Sequence, residues 1–405
     1  MMGLILDVFH KPIIRQCRLT HWRKCELTTK LPRILVLTAS YGAGHELAAY
    51  AIKEYCRRYG LAQVQIIDLM KEAHPVLNKI STSVYMSSFH AARFGIHYYG
   101  WSYYLTQKNN AYSPVLAGLN RLGTKQLFEI IQREQPDGVI NTFPYGASPI
   151  VSKLFDIPTF TIMTDYVIHA RWLHPAIDKY YVASEDLKAN MIENGISEKG
   201  VEVTGIPIRD AFENNNYPNE NINNKMILII VGAYSQLDLT AKMIKSLEGI
   251  RNCPITVVCG RNAKLNQHLT KQFQNNSRVT ILGFVERMDE LMASATCIIS
   301  KAGGLTLAES LALKVPLFIY RPFAGQEKDN ATYFYEKGIA FISYSMSDLV
   351  NQIRQFIDND ICVSLVKNKM EFLHHRKAAE RIVTDVLSTI FGRRREQAIL
   401  NSPMI

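Results

Sequence analysis

Short runs of apolar residues recur along the first half of the chain, and stretches with helical spacing separate several of them. The runs cover residues 33–38, 64–67, 138–141, 159–163, 179–183 and 201–204. A helical pattern extends from about Glu46 to Arg58. Short apolar runs that alternate with helices are typical of buried parallel strands. The pattern therefore predicts an α/β domain with a doubly wound parallel sheet.

A polar segment at residues 213–224 interrupts this pattern, and seven of its twelve residues are Asn. Such a composition is typical of a linker without core-forming residues. A second alternating series follows, with apolar runs at residues 226–231, 255–259, 279–282, 297–300 and 316–320. After about Asp348 the pattern is helical up to a basic tail at residues 393–395.

Two alternating halves joined by a linker predict two Rossmann-like domains that face a cleft. Ligands bind such sheets at the carboxyl ends of the strands. The expected organisation is an N-terminal extension at 1–30, a first domain at 31–212, a linker at 213–224, a second domain with C-terminal helices at 225–390, and a tail at 391–405.

Composition limits where the protein is expected to act. No run approaches the roughly 18–20 apolar residues that cross a bilayer, and the N-terminus lacks the apolar core of a signal peptide. The seven cysteines show no CxxC spacing, so neither a disulfide framework nor a structural zinc site is expected. These features favour the cytosol or the cytosolic surface of a membrane.

The net charge of +10 is unevenly distributed. Residues 1–110 hold fourteen Lys or Arg and six Asp or Glu, an excess of +8. A basic region of this kind suits anionic lipid or nucleic acid. No nucleic-acid motif supports the second partner, while an ordinary solvated basic surface remains an alternative.

The sequence TASYGAGH at residues 38–45 follows the first predicted strand and precedes a helix. Gly42 and Gly44 permit a tight turn, and helix-start amides can hold an anion or a polar ligand. A neutral His45 imidazole at the cleft can act as a general base. Simple strand-to-helix geometry is the alternative interpretation.

A second glycine motif, SKAGGLTLAE, occupies residues 300–309. Gly303 and Gly304 would let helix amides approach a diphosphate, and Glu309 could accept hydrogen bonds from ribose hydroxyls. Alternatively, Thr306 and Glu309 have the spacing of a helix-capping box.

A polar loop-to-helix junction at residues 320–330 is the third candidate element. Gln326, Glu327 and Asn330 offer the donors and acceptors that sugar hydroxyls need. An ordinary loop with a polar helix start would have the same composition.

Ordered motifs now connect these elements to a known family. They lie at residues 40–45, 141–144, 163–169, 179–183, 204–209, 282–288, 301–304 and 322–327. From about Pro32 to about Val386 the chain resembles the bacterial processive diacylglycerol glucosyltransferases and, less closely, the plant monogalactosyldiacylglycerol synthases, both of glycosyltransferase family 28. The resemblance implies the GT-B fold. Ala43 and Ala302 depart from the family pattern, but both are small.

The resemblance also implies roles for individual residues. His45 matches the histidine that is held to be the base or an acceptor-site group. As a separate hypothesis, Asp165 could orient His45 or the acceptor. The donor set comprises Arg209, Gly232, Ala233, Tyr234, Phe284, Val285, Met288, Gly303, Gly304, Leu305, Thr306, Glu309, Gln326, Glu327 and Asn330. The acceptor and membrane set comprises Gly44, Tyr99, Trp101, His169 and Trp172.

The stretch at residues 89–108 holds seven Phe, Tyr or Trp rings, together with Arg93 and Lys108 but no acid. Aromatic rings with basic neighbours suit the headgroup region of a membrane. A Tyr-rich core helix is the alternative. The resemblance favours a peripheral protein on the cytoplasmic face of the cell membrane.

The implied activity is inverting transfer of glucose from UDP-glucose to 1,2-diacylglycerol or to a glycosyl-diacylglycerol, which yields an anchor lipid for lipoteichoic acid. UDP-galactose as donor, a polyprenyl-linked acceptor, and a non-catalytic nucleotide-sugar sensor are the alternatives. No metal or other cofactor is expected, because the only Asp-x-Asp pair, at residues 358–360, fits a polar turn.

Overall fold

The computed structural model of the chain describes residues 30–40, 42–73, 75–76, 79, 103–104, 123–213, 225–231 and 237–400. Within these ranges the strands form two six-stranded parallel sheets. The strand order is β2-β1-β3-β4-β5-β6 in the first sheet and β12-β11-β10-β7-β8-β9 in the second. The predicted class, two Rossmann-like α/β domains, is therefore confirmed.

The first sheet and its flanking helices alternate along the chain as the apolar runs predict. The elements are β1 (Arg33–Thr38), α1 (Ala43–Tyr59), β2 (Gln63–Asp68), α2 (Leu69–Ala73), α3 (Thr124–Glu134), β3 (Gly138–Asn141), α4 (Ala147–Leu154), β4 (Thr159–Ile162), β5 (Lys179–Val182), α5 (Glu185–Glu193), β6 (Val201–Val203) and α6 (Asp210–Glu213). Short 3-10 helices occupy Ala170–Trp172 and Glu198–Gly200.

The second sheet repeats the arrangement. Its elements are β7 (Ile227–Ile230), α7 (Leu237–Leu247), β8 (Ile255–Val258), α8 (Ala263–Phe273), β9 (Val279–Leu282), α9 (Met288–Ala293), β10 (Cys297–Ile299), α10 (Gly304–Leu313), β11 (Leu317–Tyr320), α11 (Gln326–Glu336), β12 (Ala340–Ser343), α12 (Met346–Ile357), α13 (Asp360–Leu373) and α14 (Ala378–Leu400). The edge strand β12 was not among the predicted strands.

Strand β1 shows why the first sheet is buried on both faces. Ile34 and Val36 point into one apolar cluster, while Leu35 and Leu37 point into another. Side chains of a strand alternate between faces, so an unbroken apolar run must have cover on both sides. Helices α3 and α4 cover one face, and α1 covers the other.

The last helix, α14, returns to the first sheet. Its side chains Ile382, Val386 and Ile390 join the cluster that contains Ile34 and Phe160. This helix begins inside the segment assigned to the second domain, and it continues into the segment expected to be a tail. The domain bounds stay a prediction, but α14 packs on the first domain.

The Asp-x-Asp pair at residues 358–360 forms a capping turn between two helices. Asp358 ends α12, and Asn359 begins α13, with its side chain accepting a hydrogen bond from the Cys362 amide at 2.9 Å. The predicted polar turn is thus confirmed. None of the helices in the described ranges combines the length and apolarity that a bilayer crossing requires.

Candidate active site

The carboxyl ends of the two sheets meet across a cleft. Each sheet has a point where its strand order reverses, between β1 and β3 in the first and between β7 and β10 in the second. Ligands of doubly wound sheets bind at such points. The first turn of α1, the segments after β3 and β4, and the first turns of α10 and α11 converge there.

His45 lies in the first turn of α1, not on the turn before it, because the helix begins at Ala43. Its Nδ1 atom is 2.8 Å from the Thr142 carbonyl oxygen and 2.9 Å from the Thr164 hydroxyl. A carbonyl can only accept, so Nδ1 must carry the proton. The neutral ring then keeps the lone pair on Nε2, which is the form that a general base needs.

The surroundings of His45 favour this neutral form. Burial lowers the pKa of His45, while the Asp165 carboxylate, the Thr142 carbonyl and Glu46 act in the opposite direction. The Phe143 ring contacts the imidazole edge-on with 5.2 Å between ring centroids. The ring is therefore held by two hydrogen bonds and by aromatic packing.

Asp165 is 5% exposed and belongs to the segment after β4. Its Oδ1 atom accepts hydrogen bonds from the side-chain amides of Gln326 and Asn330, the latter at 3.1 Å. Burial raises the pKa of Asp165, whereas the Gln326 amide, the His45 ring, the Asn330 amide and a hydrogen bond from Trp172 lower it. Asp165, which the sequence predicts to orient His45 or the acceptor, therefore interacts with the His45 ring through its charge, although the two residues come from different segments.

The N-terminus of α10 faces this pair. Gly303 is the N-cap, no side chain caps the helix, and a Cβ atom on Gly303 would have no neighbour within 4 Å. The first amides of a helix lack intrahelical partners and attract anions. Thus Gly303 leaves open space beside a helix start, as an anion site requires.

Gly304 has a different role. A Cβ atom there would lie 1.9 Å from the Thr164 carbonyl oxygen, so only glycine permits the two domains to approach this closely. Leu305 likewise approaches Gly44 of α1, with 3.8 Å between its Cβ and an ideal Cβ on the glycine. Thr306 is the third residue of α10 and not its N-cap, so the capping-box interpretation is wrong.

Glu309 lies half-buried on α10, one turn after Thr306. Burial raises the pKa of Glu309 to about 7, with Arg209 opposing the increase and Asp289 adding to it. Arg209 also crosses between the domains, since its Nη1 donates to the Glu286 carbonyl at 3.5 Å. The Nε atom of Arg209 is buried and has no hydrogen-bond partner among the described residues.

An exposed aromatic ring marks the far end of the donor side. Phe284 follows β9 and is 63% exposed, with the Arg261 guanidinium 5.4 Å from its ring centroid. Val285 and Met288 are half-buried beside it. A planar base could stack on such a ring.

The first two turns of α11 supply the remaining donor candidates. Gln326 and Asn330 are both directed to Asp165, and Asn330 is fully buried. Glu327 is half-buried, and burial raises its pKa while the Lys301 ammonium lowers it. Glu327 therefore interacts with the Lys301 ammonium, and Asn330 binds the first domain through Asp165.

On the acceptor side, both ring nitrogens of His169 already have partners. Its Nδ1 accepts from the Arg171 amide at 3.2 Å, and its Nε2 lies 3.3 Å from the Tyr103 carbonyl. Burial lowers the pKa of His169 to about 4. Trp172 lies next to His45, with 6.2 Å between ring centroids. His169 is thus a weaker candidate for the base than His45.

Tyr104 is one of two residues of the aromatic stretch that the structure describes, and it bridges the domains. Its hydroxyl donates to Asp329 at 2.9 Å and accepts from the Gly325 amide at 3.2 Å. Its neighbour Tyr103 packs on His169, with 4.6 Å between ring centroids. Tyr103 and Tyr104 therefore make contacts within the protein.

Several predicted residues lie outside the described ones, namely Gly232, Ala233, Tyr234, Tyr99 and Trp101. The extension up to residue 29, the linker at 214–224 and residues 401–405 do so as well. Conversely, Thr142, Thr164 and Lys301 have no role predicted from the sequence. Thr142 directly follows β3, and Thr164 and Lys301 lie two residues after the ends of β4 and β10. This position at the carboxyl edge of a sheet is the signal that could have identified them.

No cluster of three or more His, Cys, Asp or Glu side chains in the described ranges is arranged to hold a metal ion.

Comparison with known proteins agrees with this architecture. In solved structures, MurG of Acinetobacter baumannii is similar at a TM-score of 0.60 with 16% identity, covering 88% of this chain and all of that one. MnaA of S. aureus, solved with UDP, is similar at 0.57 with 12% identity, covering 87% and 95%. At these identities the likeness concerns the fold.

Sequence comparison is more specific. Residues 45–208 match the monogalactosyldiacylglycerol (MGDG) synthase family, and residues 226–382 match the glycosyltransferase family 28 C-terminal domain. The processive diacylglycerol beta-glucosyltransferase of Bacillus subtilis (strain 168) is 34% identical over 88% of this chain and 94% of its own length. Its namesake from Bacillus cereus (strain B4264) is 35% identical over 89% and 94%. The chain therefore belongs to the family of the processive diacylglycerol beta-glucosyltransferases, within glycosyltransferase family 28.

Proposed function

We propose that this protein transfers glucose from UDP-glucose to the free hydroxyl of diacylglycerol, with inversion at the anomeric carbon. The observation that carries the proposal is the tautomer of His45, whose Nδ1 donates to the Thr142 carbonyl and leaves the lone pair on Nε2. This neutral base stands opposite the N-terminus of α10, where an anionic leaving group is favoured. The names of the relatives support the lipid acceptor.

The base has a defined task. A lipid hydroxyl is a poor nucleophile at neutral pH, and a positioned base contributes about 10²–10⁴-fold to such a reaction. As the hydroxyl attacks the anomeric carbon, its proton passes to Nε2 of His45. The Asp165 carboxylate stabilises the imidazolium that results, because its charge raises the pKa of His45.

The donor side holds the departing UDP. The unpartnered Nε of Arg209 and the open helix start at Gly303 offer hydrogen bonds to a diphosphate. We expect Glu309 to accept hydrogen bonds from the ribose and the exposed Phe284 ring to stack on the uracil. Since Arg209 and the helix amides supply the positive charge, we expect transfer to proceed without an added divalent ion.

We expect Gln326 and Glu327 to contact the hexose. Their amide and carboxylate groups suit glucose and galactose alike, so UDP-galactose stays an alternative donor. A glucosylated product could re-enter as acceptor, which would lengthen the headgroup and yield an anchor lipid for lipoteichoic acid. The acceptor and the basic first 110 residues support peripheral attachment at the cytoplasmic face of the membrane.

The test is UDP release from UDP-glucose with and without dioleoylglycerol in vesicles. We expect release only with the lipid, and loss of release in His45→Ala. UDP-galactose in the same assay ranks the two donors. A nucleotide-sugar sensor would bind UDP-glucose but release no UDP under either condition, and that result would contradict the proposal.

A further inference from the structure

One carboxylate oxygen joins the two domains at the centre of the cleft. Asp165 Oδ1 accepts from Gln326 Nε2 and, at 3.1 Å, from Asn330 Nδ2. Both amides belong to the first two turns of α11, in the second domain. Asp165 itself follows β4 of the first domain, next to Thr164, whose hydroxyl contacts His45.

Both polar atoms of the Asn330 side-chain amide are hydrogen-bonded to the first domain. Its Oδ1 accepts from the backbone amide of Tyr166 at 2.9 Å, while its Nδ2 donates to Asp165. The residue has no exposed surface. The Asn330 side chain is therefore not available to bind a sugar in the cleft, although its place in the motif suggests a residue that contacts the donor.

We propose that Asn330 is a positioning residue, which fixes the Asp165 carboxylate beside His45 and thereby acts on the base through Asp165. The inference rests on the proposed function of His45. This positioning role differs from a donor-binding role, because a positioning residue affects proton transfer and leaves the affinity for the nucleotide unchanged.

The electrostatics of the pair support this role. Burial disfavours an ionised Asp165 and raises its pKa, while the two amides, the His45 ring and Trp172 favour ionisation. The groups that act on His45 are Asp165, Glu46 and the Thr142 carbonyl, and all three raise its pKa against the effect of burial. Loss of the Asn330 amide removes one support of the Asp165 charge, so His45 becomes a weaker base.

The arrangement also makes the base depend on domain contact. Asn330 and Gln326 reach Asp165 only when α11 packs against the segment after β4. Tyr333, one turn further along α11, makes a similar contact between domains, since its hydroxyl donates to Asp186 at 2.8 Å. It does not bond to Asp165, and Tyr333→Phe is therefore a matched control.

The experiment compares Asn330→Ala, Asp165→Asn, their double variant and Tyr333→Phe. Transfer is measured against pH at saturating UDP-glucose. His45 must be neutral to act, so the acidic limb of the rate follows its pKa. We expect Asn330→Ala to lower the plateau of the transfer rate by about tenfold. The acidic limb of the pH profile should shift to lower pH by about half a unit. Asp165→Asn, which keeps the shape of the side chain, should move the limb in the same direction.

The double variant decides whether Asn330 acts through Asp165. In the Asp165→Asn background, loss of the Asn330 amide should change the rate by less than about twofold, because the two effects are then not additive. UDP affinity should stay within about twofold of wild type in every variant. Tyr333→Phe should leave the acidic limb in place.

An unmoved acidic limb in Asn330→Ala, or full additivity with Asp165→Asn, would show that Asn330 only joins the domains. NMR titration of the His45 imidazole in wild type and Asn330→Ala gives a readout that needs no turnover. If wild type fails to transfer glucose while the variant still lowers the pKa of His45, the proposed function fails and the positioning role stands.

Discussion

Replacement of Glu309 by Gln should weaken UDP-glucose binding and stabilise the free protein at the same time. Burial raises the pKa of Glu309 to about 7 from its usual 4.5. The folded state thus binds this proton more tightly than the unfolded state does. The contribution to stability is complete below pH 4.5 and is lost as the pH rises to 7. Above pH 7 the charge costs at most about 3 kcal/mol of unfolding free energy, which Glu309→Gln would recover.

Binding should show the opposite pH dependence. An ionised carboxylate accepts hydrogen bonds from ribose hydroxyls more strongly than a protonated one. With a pKa of about 7, the ionised fraction rises about tenfold between pH 6 and pH 8, and the affinity for UDP-glucose should rise with it. The variant should lose this dependence and bind about tenfold more weakly at pH 8.

Calorimetric titration with UDP-glucose, without lipid, measures the affinity, and chemical unfolding at pH 5 and pH 8 measures the stability. Wild type should bind the 2′-deoxyribose analogue more weakly than UDP-glucose, whereas the variant should bind the two ligands with equal affinity. Glu336→Gln makes the same charge change at an exposed position and should change neither quantity. If Glu309→Gln destabilises the protein at pH 8 while affinity is unchanged, Glu309 supports the helix and not the ribose.

His45→Ala should retain UDP affinity, because the donor candidates lie mainly in the second domain. Its turnover at saturating donor should fall by about 10²–10⁴-fold. Near-normal turnover would shift the role of the base to another group. Flotation with vesicles should show stronger binding to anionic than to neutral lipid, and weaker binding as salt increases, since each basic residue near an anionic surface adds about 1 kcal/mol; equal binding under all conditions would rule out the electrostatic part. Deletion of residues 1–30 should preserve transfer per folded molecule, because this segment precedes β1 and has no apolar period in the sequence. A large loss with intact folding would assign that segment a role.

The sequence predicts the central strands because they form apolar runs buried on both faces, as in β1 at 33–38 and β3 at 138–141. The edge strand β9 is half-buried to exposed, yet its apolar run at 279–282 is enough to predict it. The missed edge strand β12 is more buried than β9, so burial does not account for the miss. Helical periodicity also cannot tell which sheet a helix covers, and α14 accordingly lies on the first sheet although it ends the chain.

The site shows a similar limit. Glycine motifs predict the helix starts, and the resemblance names His45 and Glu309 as candidates. The bond between Asp165 and Asn330 joins residues that are 165 positions apart, and no local pattern encodes it. The same holds for the Thr142 carbonyl, whose contact with His45 fixes the tautomer, because a backbone acceptor leaves no trace in residue type.

The central claim is tested most directly by the lipid product itself. Wild-type protein is incubated with UDP-glucose and dioleoylglycerol vesicles, and the lipid fraction is analysed by mass spectrometry and by proton NMR of the anomeric position. The account predicts a lipid heavier by one or more hexoses, with β-linked glucose as inversion of the α-linked donor requires. An unchanged lipid fraction, or an α-linked hexose, would contradict it.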